Sequence, residues 1–291
     1  TTSPILILLF VGALSGTWLI SGIIPAMIYY GLQIFNPLFF LPACVIICAI
    51  ISLSTGSSWT TSATIGIAMI GIGKAMDINT GIVAGAIISG AYFGDKLSPL
   101  SDTTNLAAAM ANSNLFSHIR YMTLTTVPSI IISLIFFIFV GFFQVTTENI
   151  NNNFLFNSIE EKFFINPVLF VVPIVVIVMI LKKTPPLLAL MTGTILAAVF
   201  ALIFQQNIIH ELTDSNKLSL NTTYRVIIDA ITIETSIQSS NEILTELFKS
   251  GGMKGMLGTI WLIICAMVFG GVMDAIGALK KISEKLLEKA E

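Results

Sequence analysis

Long apolar runs separated by short polar stretches dominate the chain, and their lengths predict helices rather than strands. Crossing a bilayer takes about 20 apolar residues in a helix. Residues 37–53, 121–143 and 187–204 come close to or exceed that length, 167–181 form a shorter run, and 261–276 form the last, with a start as early as Met256. Residues 4–30 are also apolar but interrupted by Gly12, Ser15, Gly16, Thr17, Ser21, Gly22 and Pro25, so this segment is expected to tilt, or to break near 21–25. The pattern predicts an all-α, multi-pass integral membrane protein. Composition agrees, with 55% hydrophobic and 10% charged residues against roughly 25% charged in a soluble domain.

Two stretches depart from the oily pattern. Residues 89–110, SGAYFGDKLSPLSDTTNLAAAM, place Asp95, Lys96 and Asp102 among hydroxyl and amide side chains. Charges at membrane depth are costly and are usually kept for function. Gly94, Pro99 and the Ser-Asp-Thr-Thr-Asn run all favour leaving the helix, and the flanking runs, 82–93 and 106–118, are each too short to span. A discontinuous helix or hairpin is therefore expected. Residues 54–66, STGSSWTTSATIG, carry hydroxyls at most positions and read as a re-entrant or unwound element that offers oxygen ligands to a hard cation. Broken backbone is tolerated at membrane depth only inside protein or along a cavity.

The connections predict orientation. His118 and Arg120, Lys182 and Lys183, and Lys280, Lys281, Lys285 and Lys289 mark cytoplasmic ends, whereas 144–166 and 205–255 are polar, acidic and expected outside. Within 205–255, residues 227–248 read as an amphipathic helix. The net charge of -2 and the lack of a basic patch exclude a nucleic-acid partner. His118 and His210 form no cluster with metal-ligand spacing. Cys44, Cys48 and Cys265 lie in apolar runs and read as packing residues. The chain opens at Thr1 with no basic n-region, so no cleavable signal peptide is expected and the start of the protein is expected to be missing.

Ser15-Gly16 followed by Gly22 matches Gly270-Gly271 followed by Gly277 in spacing. This echo fits two structural repeats, with residues 1–255 holding the first repeat and its polar loop and 256–291 beginning a second, truncated one. A fragment is expected, because neither polar stretch recurs after residue 256.

The runs TGSSWTTSATIG, GAIISGAYFGDKLSPLSDTTNLA and SGGMKGMLGTIWLIICAMVFGGVMDAIG closely resemble the NhaC family of bacterial sodium/proton antiporters. That family also includes malate/lactate antiporters driven by sodium and proton gradients. The resemblance implies an inverted-repeat secondary transporter of the bacterial inner membrane, with its site between the repeats. It implies no cofactor beyond the transported sodium and protons; small dicarboxylates and a homodimer stay open.

Exchange requires one site that binds either ion. A partly dehydrated carboxylate serves, because desolvation raises the pKa of such a group and protonation cancels the charge that holds the cation. Asp95 and Asp102 are the candidate carboxylates, and Ser57, Ser58, Thr60, Thr61, Thr103, Thr104 and Asn105 the candidate oxygen ligands for sodium. Blander readings pair Asp95 with Lys96 and make Asp102 a helix cap. Lys96 alternatively meets an organic carboxylate. Asp274 reads as a solvated helix end. An intramembrane aspartyl protease needs two carboxylates sharing a proton and leaves 54–66 unexplained. A passive sodium channel would move no protons.

Overall fold

The computed structural model describes residues 2–99, 101–110, 112–144, 152–182, 184–213, 220–239, 245, 247–278 and 281, nearly all of them helical. The first apolar segment breaks at Ser21–Gly22: α1 (Thr2–Ile20) and α2 (Ile23–Ile34) meet at 73°. Gly22, at φ 77°, makes the turn in a conformation that side chains disfavour. Pro25 follows in the first turn of α2, where a missing N–H is tolerated.

α3 (Pro37–Thr55) is capped by Asn36, whose Oδ1 accepts from the Leu38 N–H at 2.9 Å, and it ends at Gly56. The hydroxyl-rich stretch is mostly helical, contrary to expectation. Only Gly56 and Ser57 leave the helix, after which α4 (Ser58–Thr61) runs through a π turn (Ser62–Gly66) into α5 (Ile67–Ala75). Hydroxyls that fold back on the preceding turn keep it so: Thr64 donates to the Thr60 carbonyl at 2.8 Å and Thr61 to that of Ser57 at 2.9 Å.

α6 (Thr80–Leu97) continues through Gly94, where a break was expected. The helix gives way only after Leu97, at Ser98 and Pro99, where Pro99 can donate no backbone hydrogen bond, and α7 (Asp102–Met110) starts after Ser101. Gly94 instead lets two backbones meet. A β-carbon on Gly90 would strike the Val45 carbonyl, and one on Gly94 the backbone of Ala49 and Leu53, so α6 lies parallel to α3 at the separation small-residue stripes allow. Ser52 Oγ donates across the seam to the Ala91 carbonyl. Near its far end, α5 passes antiparallel beside both helices, with Gly73 against Phe40 and Val83. α8 (Leu115–Gln144) runs antiparallel to α6: Phe137 lies over Gly85 and Gly141 against the Leu38 carbonyl. Cys44 and Cys48 are buried in the core of this unit, as packing residues should be.

The second unit is built around α1. α9 (Asn152–Lys162) turns through 81° into a short 3-10 turn (Pro167–Phe170) and α10 (Val171–Leu181), and α11 (Pro186–Phe204) packs along α1. Gln205 ties the bends together. Its Oε1 accepts from the Phe164 N–H at 3.0 Å, and its Nε2 donates to the Phe164 carbonyl at 2.9 Å and to that of Ser21 at 3.4 Å.

Residues 205–255 are not simply an outer loop; of the helix expected within 227–248, residues 227–232 are helical, 233–239 are not, and 240–244 and 246 lie outside the described residues. After α12 (Gln206–Glu211) come α13 (Leu220–Thr232), the antiparallel pair β1 (Thr235–Ser236) and β2 (Lys249–Ser250), and α14 (Gly252–Gly255). The later part of this segment packs on α1, where Gly16 meets the Ala230 carbonyl, Gly12 meets that of Gly252, and Ser250 donates to Ser15 at 3.2 Å. Phe248 is wholly buried there, stacked edge-on against Phe163. α15 (Leu257–Ala275) follows, exposing nearly all its length, Trp261, Leu262, Val268, Phe269 and Asp274 among it. Among the described residues four helical stretches are long and apolar enough to cross a membrane, or six if each bent pair is one span. The chain is therefore largely helical, with the build of a multi-pass membrane protein.

Gly94→Leu should wedge α3 from α6 at a cost of about 1–3 kcal/mol, read as a lowered melting temperature of the full-length protein in detergent, whereas Gly255→Ala, at an open position, should leave it unchanged. Lys249 Nζ lies 2.9 Å from Glu234 and holds its carboxyl below the usual value by hydrogen bond and charge. This pair supports the β1–β2 hairpin fully above pH about 4.3 and loses that support as pH falls through the lowered folded value. Hydrogen exchange at 235–250 should rise over that acid window, and Lys249→Met should remove the dependence.

Candidate functional site

Because α3 and α6 run parallel and in close register, their C-terminal ends finish side by side. The starts of α4 and α7 come to the same place. Between these four ends and the turn linking α10 to α11 lies a cavity of about 340 Å3. Thr55, Ser57, Thr60, Asp95, Ser101 and Thr103 supply its polar lining, and Trp59, Ile180, Pro185 and Pro186 its apolar wall.

Asp95 sits in the last full turn of α6, half-buried, with its carboxylate in the cavity. Ser58 Oγ donates to Asp95 Oδ2 at 2.9 Å, and among the described residues this is the only hydrogen bond its side chain receives. The remaining carboxylate oxygen is thus free for a ligand. Ser57 caps α4, accepting from the Thr60 N–H at 3.2 Å, and its hydroxyl lies 2.9 Å from that of Thr60. Across the cavity Ser101 and Thr103 pair their hydroxyls at 2.9 Å. One half-buried carboxylate beside several hydroxyls, with an apolar wall on one side, is chemistry for a hard monovalent cation or a proton. Among the described residues no group of three His, Cys, Asp or Glu could hold a transition metal.

The structure sorts the residues singled out from the sequence. Ser57, Thr60, Asp95 and Thr103 share the cavity, and Ser58 reaches it through Asp95. Thr61, Thr104 and Asn105 do not line it and hold backbone instead. Thr104 Oγ1 donates to the Asp95 and Lys96 carbonyls, both at 3.2 Å, and Asn105 Nδ2 to those of Pro99 and Ser101 at 2.9 and 2.8 Å. Thr104 thereby ties the start of α7 to the end of α6. Asp102 opens α7, but its side chain lies outside the described residues. The cap expected of it belongs to Ser101, whose Oγ accepts from the Thr104 N–H at 3.3 Å.

The Asp95–Lys96 ion pair of the blander reading does not form among the described residues. Consecutive helical residues point about 100° apart, and Lys96 lines a different cavity, between α6 and α8. Ser101, Thr55 and the 184–186 turn were not singled out from the sequence. Ser101 was legible as the residue preceding a polar helix start, whereas Thr184 and Pro185 gave no signal beyond punctuating a basic connection.

The sequence model of the Na+/H+ antiporter family matches residues 90–291. A Bacillus subtilis protein described as a malate-2H(+)/Na(+)-lactate antiporter is 40% identical over 96% of this chain and 57% of its own length. The Na(+)/H(+) antiporter NhaC of Alkalihalophilus pseudofirmus is 34% identical over 98% of this chain and 59% of its own length. An arginine/ornithine antiporter, ArcD, of Halobacterium salinarum is 30% identical over 96% of the chain and 55% of its own length. This chain thus spans a little under three fifths of the length of these relatives. No solved structure matches it. The match over the family's sequence model covers α7 and everything after it, together with Asp95 and its turn, and the chain belongs to the Na+/H+ antiporter family.

Proposed function

We propose that the chain serves a sodium/proton antiporter of the bacterial inner membrane, in which Asp95 is occupied in turn by sodium and by a proton. The observation that carries this reading is the half-buried Asp95 carboxylate, held on one oxygen by Ser58 and facing a hydroxyl-lined cavity with the other. Sodium is held by the free oxygen together with Ser57, Thr60 and Thr103. Protonation removes the charge that holds it, so each ion displaces the other and exchange follows without a cofactor. Asp102 is the second carboxylate of this proposal, through its place at the start of α7. Lipid surrounds the spans, and a homodimer is compatible with the exposed face of α15.

The inverted-repeat architecture and the division at 255/256 belong to the same proposal. The spacing echo is matched in local geometry, which supports it. Gly22 at φ 77° and Gly277 at φ 70° both end a helix in the same two-residue turn, their N–H groups donating three residues back at 3.1 and 2.9 Å. A second reading, sodium-coupled exchange of malate and lactate, is favoured by the relative of that description.

The experiment is a pH measurement in sealed vesicles holding the full-length protein, after sodium is added with and without malate or lactate. Asp95→Asn should abolish sodium-driven proton movement, and Ser58→Ala should raise the sodium concentration for half-maximal exchange about tenfold, as loss of a hydrogen bond to a charged group implies. Full activity in Asp95→Asn would sink the site, and proton movement only with an organic acid would move the function to the second reading.

A further inference from the structure

The Asp95 cavity is too roomy to choose its ion by fit to a rigid cage. At about 30 Å3 per water-sized group, its volume of about 340 Å3 takes roughly eleven such groups, far more than one cation fills. Preference for one alkali cation over a larger one then depends on oxygens from opposite walls reaching the ion together, and so on the distance between those walls.

Backbone contact sets one wall. α3 and α6 touch main chain to main chain at Gly90 and Gly94, which holds Asp95 at a fixed place beside the end of α3. The facing wall has a different anchor. Ser101 and Thr103, whose paired hydroxyls stand across the cavity from Asp95, lie beyond a linker in which Pro99 has no N–H to give. Thr104 holds them in place. Its Oγ1 donates to the Asp95 and Lys96 carbonyls, both at 3.2 Å, and its N–H donates to Ser101 Oγ at 3.3 Å. Carbonyls in the last turn of a helix have no partner within it, so this hydroxyl serves groups that α6 itself leaves unserved. Asn105 reaches Pro99 and Ser101 in the linker but not α6, and among the described residues no other side chain of α7 hydrogen-bonds α6. Thr104 is itself 4% exposed and does not line the cavity.

We propose, resting on the reading of Asp95 as the cation site, that Thr104 is a positioning residue that sets the span between the Asp95 carboxylate and the Ser101–Thr103 hydroxyl pair. Through that span it sets the preference for sodium over the larger potassium ion. Thr104 never meets the ion. It pins the α7 wall to the very residue whose side chain holds the cation, so the two walls cannot part while its hydroxyl is bound. With the span held short, a small ion collects oxygens from both sides at once. Released from α6, the α7 wall follows a larger ion as readily as a smaller one, and sodium loses its advantage.

The test measures proton movement in sealed vesicles holding the full-length protein, over a range of sodium and, separately, potassium concentrations. Wild type should prefer sodium. Thr104→Val keeps the shape and removes the hydroxyl. It should raise the sodium concentration for half-maximal exchange about five- to tenfold, as loss of buried hydrogen bonds implies, and should cut the preference for sodium over potassium at least about threefold. Its maximal rate per folded protein should stay within about twofold of wild type. Thr104→Ser restores the donor and should restore both the half-saturation and the preference. Thr104→Cys, whose thiol donates weakly, should fall between the two and reports if Thr104→Val does not fold. A Thr104 that merely supports the fold would lower the amount of active protein and leave half-saturation and cation preference untouched, and that result overturns the proposal. So does a wild type without preference for sodium, or a Thr104→Ser that behaves like Thr104→Val. Asp95→Asn in the same vesicles tells the two readings apart: exchange retained there sinks the Asp95 site, whereas exchange lost there beside a Thr104→Val like wild type overturns the role of Thr104 alone.

Discussion

The contact between the backbones of α3 and α6 is the constraint on which the cavity depends. At Gly90 and Gly94 the α3 main chain occupies the space where a side chain would begin. This fixes both the distance and the register of the two helices. Their C-terminal ends, each carrying partial negative charge on free carbonyls, then finish together and meet the electropositive starts of α4 and α7. Ends of opposite sign in one place stabilise each other and leave room for a small ion among them. Thr104 closes the arrangement by binding the last carbonyls of α6 from the first turn of α7.

What the sequence made legible was decided by local chemistry. Spans could be read because the hydropathy pattern is local, and the bend at Ser21–Gly22 because a glycine next to polar residues ahead of Pro25 is a local signal. The polar stretches 54–66 and 89–110 were legible as departures from the apolar pattern for the same reason, and residues of both line one cavity. Contact with a partner helix decided the rest. Gly94 reads as a breaker in isolation, yet it lies inside a helix because α3 needs its missing side chain. Lys96 reads as a partner for Asp95 by adjacency, and helical rotation sends it to another face. Thr61, Thr104 and Asn105 could not be told from Ser57 and Thr60 by residue type, since only geometry decides whether a hydroxyl or amide faces the cavity or a carbonyl.

The segment 205–255 failed to read for a related reason. Its polar composition suggested an excursion into water, but the stretch from α13 to α14 has carbonyls that fit against the small residues of α1. Gly12, Ser15 and Gly16 are therefore occupied from within the chain. Their spacing alone could not distinguish this from a contact between two spans.

Gln205 has a consequence for motion. The bend between α1 and α2 and the bend between α9 and α10 lie far apart in sequence, yet one carboxamide holds the main chain of both, and Gly22 has no β-carbon because the Gln205 amide fills that space. Both elbows are thus braced against one side chain just past the end of α11, and straightening either one would break hydrogen bonds that Gln205 makes there.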